Sequence, residues 1–169
     1  MNLSIIWIVF ITIGIIVLKY SWYITLDSVG FKCPQESDAR LYLDKTYKSW
    51  GSLYFIPISG YAFLEEMIFR LIPIYLAMSL FSGLPYIGII IIFSAQITFG
   101  YMHGNEKNIV FQGVSGILYV FLFILFGGLY NPLLGVLVTT AVHLLWNLDC
   151  QYNWVCRGIN YFQSLKLGT

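Results

Sequence analysis

Charge is what this chain has least of. Lys, Arg, Asp and Glu together make up 10% of its 169 residues, and the formal net charge is +1. A nucleic-acid surface needs a basic face and binding to acidic substrates needs a cationic excess, so neither partner class is indicated. Cysteine is nearly as scarce: Cys33, Cys150 and Cys156 are too few and too irregularly spaced for a disulfide framework or a cysteine zinc site. No alternating strand pattern occurs, and no glycine-rich phosphate loop follows a strand, which removes the usual nucleotide motifs. Internal repeats and low-complexity tracts are also missing.

What the chain does have is apolar length. Hydrophobic residues make up 59% of it, and the mean hydropathy is +0.77, values outside the range of soluble globular domains. The fold class expected is all-α, a polytopic membrane helical bundle. A hydrocarbon core of about 30 Å takes about 20 helical residues, and that ruler gives about five spans: Leu3 to Tyr23, Leu53 to Phe81, Tyr86 to His103, Ile109 to Phe126 and Asn131 to Leu148. The first has neither a basic leader before it nor a small-x-small cleavage site after it, so it reads as a retained span. Pro132 falls near the start of the fifth, where a missing N–H costs least.

The organisation that follows is a first span plus polar loop (1–52), a four-helix core (53–149) and a tail (150–169). The loop, Thr25 to Ser52, carries mixed charges and reads as solvated or interfacial. With five spans, Lys32, Arg40, Lys45, Lys48, Lys107, Arg157 and Lys166 share one face, Lys19 lies near it, and the opposite face has no Lys or Arg. The positive-inside rule then puts the N-terminus outside and the C-terminus in the cytoplasm, in a cell membrane.

Against this background the second span contains FLEEMIFR, Phe63 to Arg70. Each ionised group at a span centre costs roughly 2.5 to 3.5 kcal/mol on insertion scales, against about 0.3 to 0.6 returned by a Leu, Ile or Phe. Glu65, Glu66 and Arg70 should therefore face a bundle interior. Glu66 and Arg70 stand one helical turn apart in the favourable order for an ion pair. Glu65, about 100° round the helix, has no sequence-local partner and is the candidate general base. The only two histidines also fall in or at the end of apolar spans, His103 on one face with Phe99 and His143 on one face with Asn147. Intramembrane ionisable groups are functional candidates by default, and three helices could bring these to one wet cavity.

The ordered set EEMIFR (Glu65 to Arg70), FGYMH (Phe99 to His103) and HLLWN (His143 to Asn147) resembles the signature of the CPBP family: type II CAAX prenyl endopeptidases and bacteriocin-processing or immunity-type membrane proteins. The resemblance covers about Leu53 to Asp149. It implies an intramembrane protease in which Glu65 activates a water, His103 holds or polarises that water, and His143 and Asn147 stabilise the oxyanion. Glu66 and Arg70 would be the structural pair that orients the helix. Leu71 stands where the family commonly has glycine, and Pro73 should clash with the Phe69 carbonyl and kink the helix. Only one helix precedes the motif core, where prenyl endopeptidases have more, which favours a small peptide or bacterial membrane protein as substrate.

Glu65, His103 and His143 could also form a Zn²⁺ set, although no HExxH helix presents them. Metal-dependent and glutamate-dependent proteolysis both stay open at this level. So do a non-proteolytic binding or immunity protein of the same fold and, less well matched by a chain without inverted repeats, a small transporter. The aromatics, 18% of the chain, read as interfacial belts and packing, with Trp7, Trp22, Tyr23, Trp50 and Tyr54 near span ends.

Overall fold

Long apolar runs with few helix breakers have one way to satisfy their backbone, and among the described residues every regular element is helical. The computed structural model describes residues 5–29, 45–103, 108–129 and 131–152. Most of the polar loop, the residues Gly104 to Lys107 and the tail beyond Tyr152 lie outside these, and with them Lys32, Cys33, Arg40, Asn105, Cys156, Arg157 and Lys166.

Helix α1 is Ile5–Ser28, five residues longer at its C-terminal end than the apolar run suggested. Packing explains the extension: Leu26 is buried with Tyr23, Phe111 and Trp146, and the Thr25 hydroxyl donates to the Ser21 carbonyl at 2.8 Å. The span expected as one helix from Leu53 is built in three parts. After a helical stretch over 45–50 and a 3₁₀ turn, Gly51–Leu53, comes α2, Phe55–Glu66. It continues through a π-helical turn, Met67–Leu71, into α3, Ile72–Leu80.

A π turn directly precedes Pro73, where a kink was expected. Pro73 lies in the first turn of α3, where its missing N–H is tolerated, and the preceding turn widens so that the Ile72 N–H reaches Met67, five residues back. The proton that Pro73 cannot give the Phe69 carbonyl comes from another helix: Gln96 Nε2 donates to it at 2.7 Å.

Helix α4 is Pro85–Met102. A second π turn, Ile109–Gly113, leads into α5, Val114–Leu125, and α6 is Pro132–Tyr152. Asn131 Oδ1 accepts the Leu134 N–H at 3.1 Å and caps the start of α6. The core is organised around α5. Its Tyr119 and Leu122 pack with Ile15 of α1 and Val142 of α6, while its Val120 and Phe123 pack with Ile74 of α3 and Val136 of α6. Leu71 joins that second cluster as a packing residue.

Two helices are long and apolar enough to cross a membrane, over Val9–Leu26 and Pro85–Met102, and 22% of each window is buried. Helices that served as the core of a soluble domain would be mostly buried. Here large apolar side chains such as Trp7, Phe10, Ile90, Ile97, Phe121 and Leu137 point outward.

Candidate active site

The end of α2 delivers Glu65 and Glu66 side by side, and the π turn places Arg70 one turn on. Glu66 and Arg70 are both wholly buried, with Arg70 Nε 3.2 Å from Glu66 Oε2. The guanidinium also lies against two aromatic faces, 4.1 Å from the Phe99 ring centre and 5.1 Å from that of Tyr119. A carboxylate and two π faces thus stabilise a cation that water does not reach.

His143, on α6, is held by both glutamates. Its Nδ1 is 2.8 Å from Glu66 Oε1 and its Nε2 is 3.4 Å from Glu65 Oε2. Glu66 is already paired with Arg70 and can only accept, so Nδ1 carries the proton donated to it. Sequence spacing left Glu65 without a partner; the fold supplies one 78 positions away. Glu65 is also the member of this group that reaches solvent-accessible space, with a third of its side chain exposed.

His103 caps the C-terminal end of α4. Its Nδ1 donates to the Phe99 carbonyl at 2.7 Å, since a carbonyl can only accept, and Nε2 is left with its lone pair. Phe99 and His103 share a face as their spacing implied, with ring centres 4.5 Å apart, and Phe99 reaches His143 edge-on at 6.0 Å. Asn147, one turn beyond His143 on α6, is half-buried. Glu65, Glu66, Arg70, His103 and His143 are therefore gathered at one locus.

Several supports of this locus were not visible in the sequence. Asn108, buried, donates Nδ2 to the His103 carbonyl at 2.7 Å and fixes the end of α4. Gly100 lets that end lie on the second π turn: a Cβ there would meet Ile109 Cα at 2.6 Å, the Asn108 carbonyl at 2.7 Å and Gly113 N at 2.9 Å. Gly116 similarly leaves room for two site side chains, since a Cβ would come 2.5 Å from Gln96 Oε1 and 3.3 Å from Arg70 Nη2. Lys19 of α1 and Tyr119 of α5 complete the surround. The one available signal was a Lys within an apolar run, which the distribution of basic residues had placed near the cytoplasmic face.

The zinc set can be tested on this geometry. Both histidines commit Nδ1 to a neighbour and turn Nε2 away, as ligating histidines do. Among the described residues no three His, Cys, Asp or Glu side chains are gathered as an ion-holding group, and the chemistry below uses the chain's own groups.

Searches of the chain against protein-family models, curated proteins and solved structures return no match. The likeness to the CPBP signature stands on the three motifs themselves.

Proposed function

We propose that this chain is an integral membrane protein of five spans with an intramembrane endopeptidase site built on Glu65. The observation that carries the reading is the pairing of a part-exposed carboxylate, Glu65, with a histidine whose other nitrogen is fixed by a fully buried carboxylate. A purely structural ion cluster gains nothing by exposing one member, whereas a general base must reach its water.

Five spans are supported by α1, the continuous helix over 55–80, α4, the helix over 109–125 and α6, with apolar side chains outward and charged ones turned in. Basic residues collected on one face support a cytoplasmic C-terminus in the plasma membrane. The bilayer would supply both the solvent for the outer surface and the source of substrate, a small peptide or a membrane protein.

The steps follow from the hydrogen-bond directions. His103 Nε2 accepts a hydrogen bond from the attacking water, and Glu65 takes a proton from that water as its oxygen adds to the scissile carbonyl. With Nδ1–H given to Glu66, a proton on Nε2 makes His143 a cation flanked by two carboxylates. That N–H, together with the Asn147 amide, then stabilises the tetrahedral oxyanion. Collapse breaks the C–N bond, and Glu65 returns its proton to the leaving amine. Arg70 pairs with Glu66, and Glu66 holds the Nδ1–H of His143, which fixes the direction of the ring.

The test compares small membrane peptides from cells producing the wild type and Glu65→Ala at matched levels, by mass spectrometry of new termini. Termini found only with the wild type support the protease and reveal its substrate. Identical profiles with a folded, inserted variant would refute it in favour of a binding or immunity protein that uses the same polar cavity.

A further inference from the structure

The first helix carries a lysine that the proposed chemistry does not use. Lys19 is 3% exposed, with its ammonium turned into the bundle and not out to an interface. Its Nζ donates to the Tyr119 hydroxyl at 2.7 Å and lies 3.9 Å from the Trp146 ring centre and 4.6 Å from that of Tyr119. Tyr119 lies over the His143 ring, with centres 5.4 Å apart and planes tilted by 32°, and Trp146 follows His143 by about one turn on α6.

We propose that Lys19, acting through Tyr119, is a positioning residue that fixes the plane of the His143 ring. Glu65 and Glu66 meet the ring at its two nitrogens, Glu65 at 3.4 Å through a part-exposed side chain, so neither covers a ring face. A contact on the face opposes torsion about the Cβ–Cγ bond, and Tyr119 provides it. Tyr119 is in turn fixed by its hydroxyl, which accepts from an ammonium donor held between two aromatic faces. A methionine of similar length would keep the packing and remove both the hydrogen bond and the cation–π contacts.

The kinetic part of the test rests on the proteolytic reading, and the spectroscopic part does not. The chain has two histidines, so the full-length protein with ¹⁵N-labelled histidine in micelles gives two pairs of ring signals, assigned with His103→Gln. Lys19→Met should shift or broaden the His143 signals and spare those of His103. Lys19→Arg should restore them, because a cavity of about 40 Å³ beside Lys19, Tyr119 and Trp146 gives the larger head room. Tyr119→Phe should reproduce the Lys19→Met change, and the double variant should go no further than either single one. Where cleavage is measured, kcat should fall about tenfold in Lys19→Met with KM unchanged, the loss expected of one hydrogen bond to a charged group.

Unchanged His143 signals in folded Lys19→Met, or additive effects in the double variant, would overturn the proposal. If Lys19→Met does not fold, a Tyr119→Phe protein with wild-type His143 signals overturns it equally. A His143 response in a chain whose Glu65→Ala variant leaves peptide termini unaltered would support the positioning role while refuting proteolysis.

Discussion

Gln96 should matter to stability only as long as residue 73 is proline. Its Nε2 supplies the Phe69 carbonyl with the proton that Pro73 lacks, at 2.7 Å and buried. Gln96→Leu keeps the volume and removes the donor. An unsatisfied buried carbonyl costs about 1 to 3 kcal/mol, and removal of the buried Gln96 Oε1, which has no hydrogen-bond partner among the described residues, returns part of it. The net loss should be about 1 to 2 kcal/mol, roughly a 5- to 30-fold change in the unfolding constant. In a Pro73→Ala background the backbone N–H of residue 73 is restored and can close an ordinary helical bond to Phe69. The same Gln96→Leu change should then cost about 0.5 kcal/mol or less, for a coupling of about 1 kcal/mol across the pair. Equilibrium unfolding of the four proteins in mixed micelles, titrated with dodecyl sulfate and followed by tryptophan fluorescence, measures both numbers. An equal cost of Gln96→Leu in the two backgrounds would refute the link between the proline, the π turn and the glutamine.

Gly100→Ala should destabilise by about 1 to 3 kcal/mol in the same titration, because the new methyl meets backbone atoms of Asn108, Ile109 and Gly113 rather than a movable side-chain end; a neutral result would mean that α4 and the second π turn pack less closely. Arg70→Met takes the cation from a fully buried Glu66 that keeps its His143 hydrogen bond, and should cost about 3 to 5 kcal/mol. Adding Glu66→Gln should recover part of that, and a double variant that loses further stability would contradict the ion-pair account. Dialysis against a strong chelator separates the two proteolytic readings: a loss of cleavage restored by Zn²⁺ alone places an ion at Glu65, His103 and His143, and unchanged cleavage leaves Glu65 as the base without one.

The parts of this site legible in the sequence are those that one helix can encode by itself. Glu66 and Arg70 pair because four residues make one turn, and Phe99 meets His103 for the same reason. The need for a polar interior was legible too, since three charges in an apolar run have few other outcomes. What stayed hidden is which residue of another helix each one meets. In soluble helices the polar face marks the outside and so fixes the inward one, but in α1 and α4 apolar residues run all round and periodicity selects no face. Hence Glu66 to His143, Gln96 to Phe69 and Lys19 to Tyr119, separated by 77, 27 and 100 positions, could not be paired from spacing.

Proline carried a signal of a different kind. Pro73 announced a missing N–H, and a missing donor in an apolar setting obliges some other donor to be near. Within α4, Gln96 was the one side chain able to give a proton and also lie on the same face as Phe99 and His103, three and seven residues further on. The same logic extends to Lys19. In a chain this poor in charge, a polar group within an apolar helix is best read as the exposed half of a pair, and the search for its partner is a search for the site.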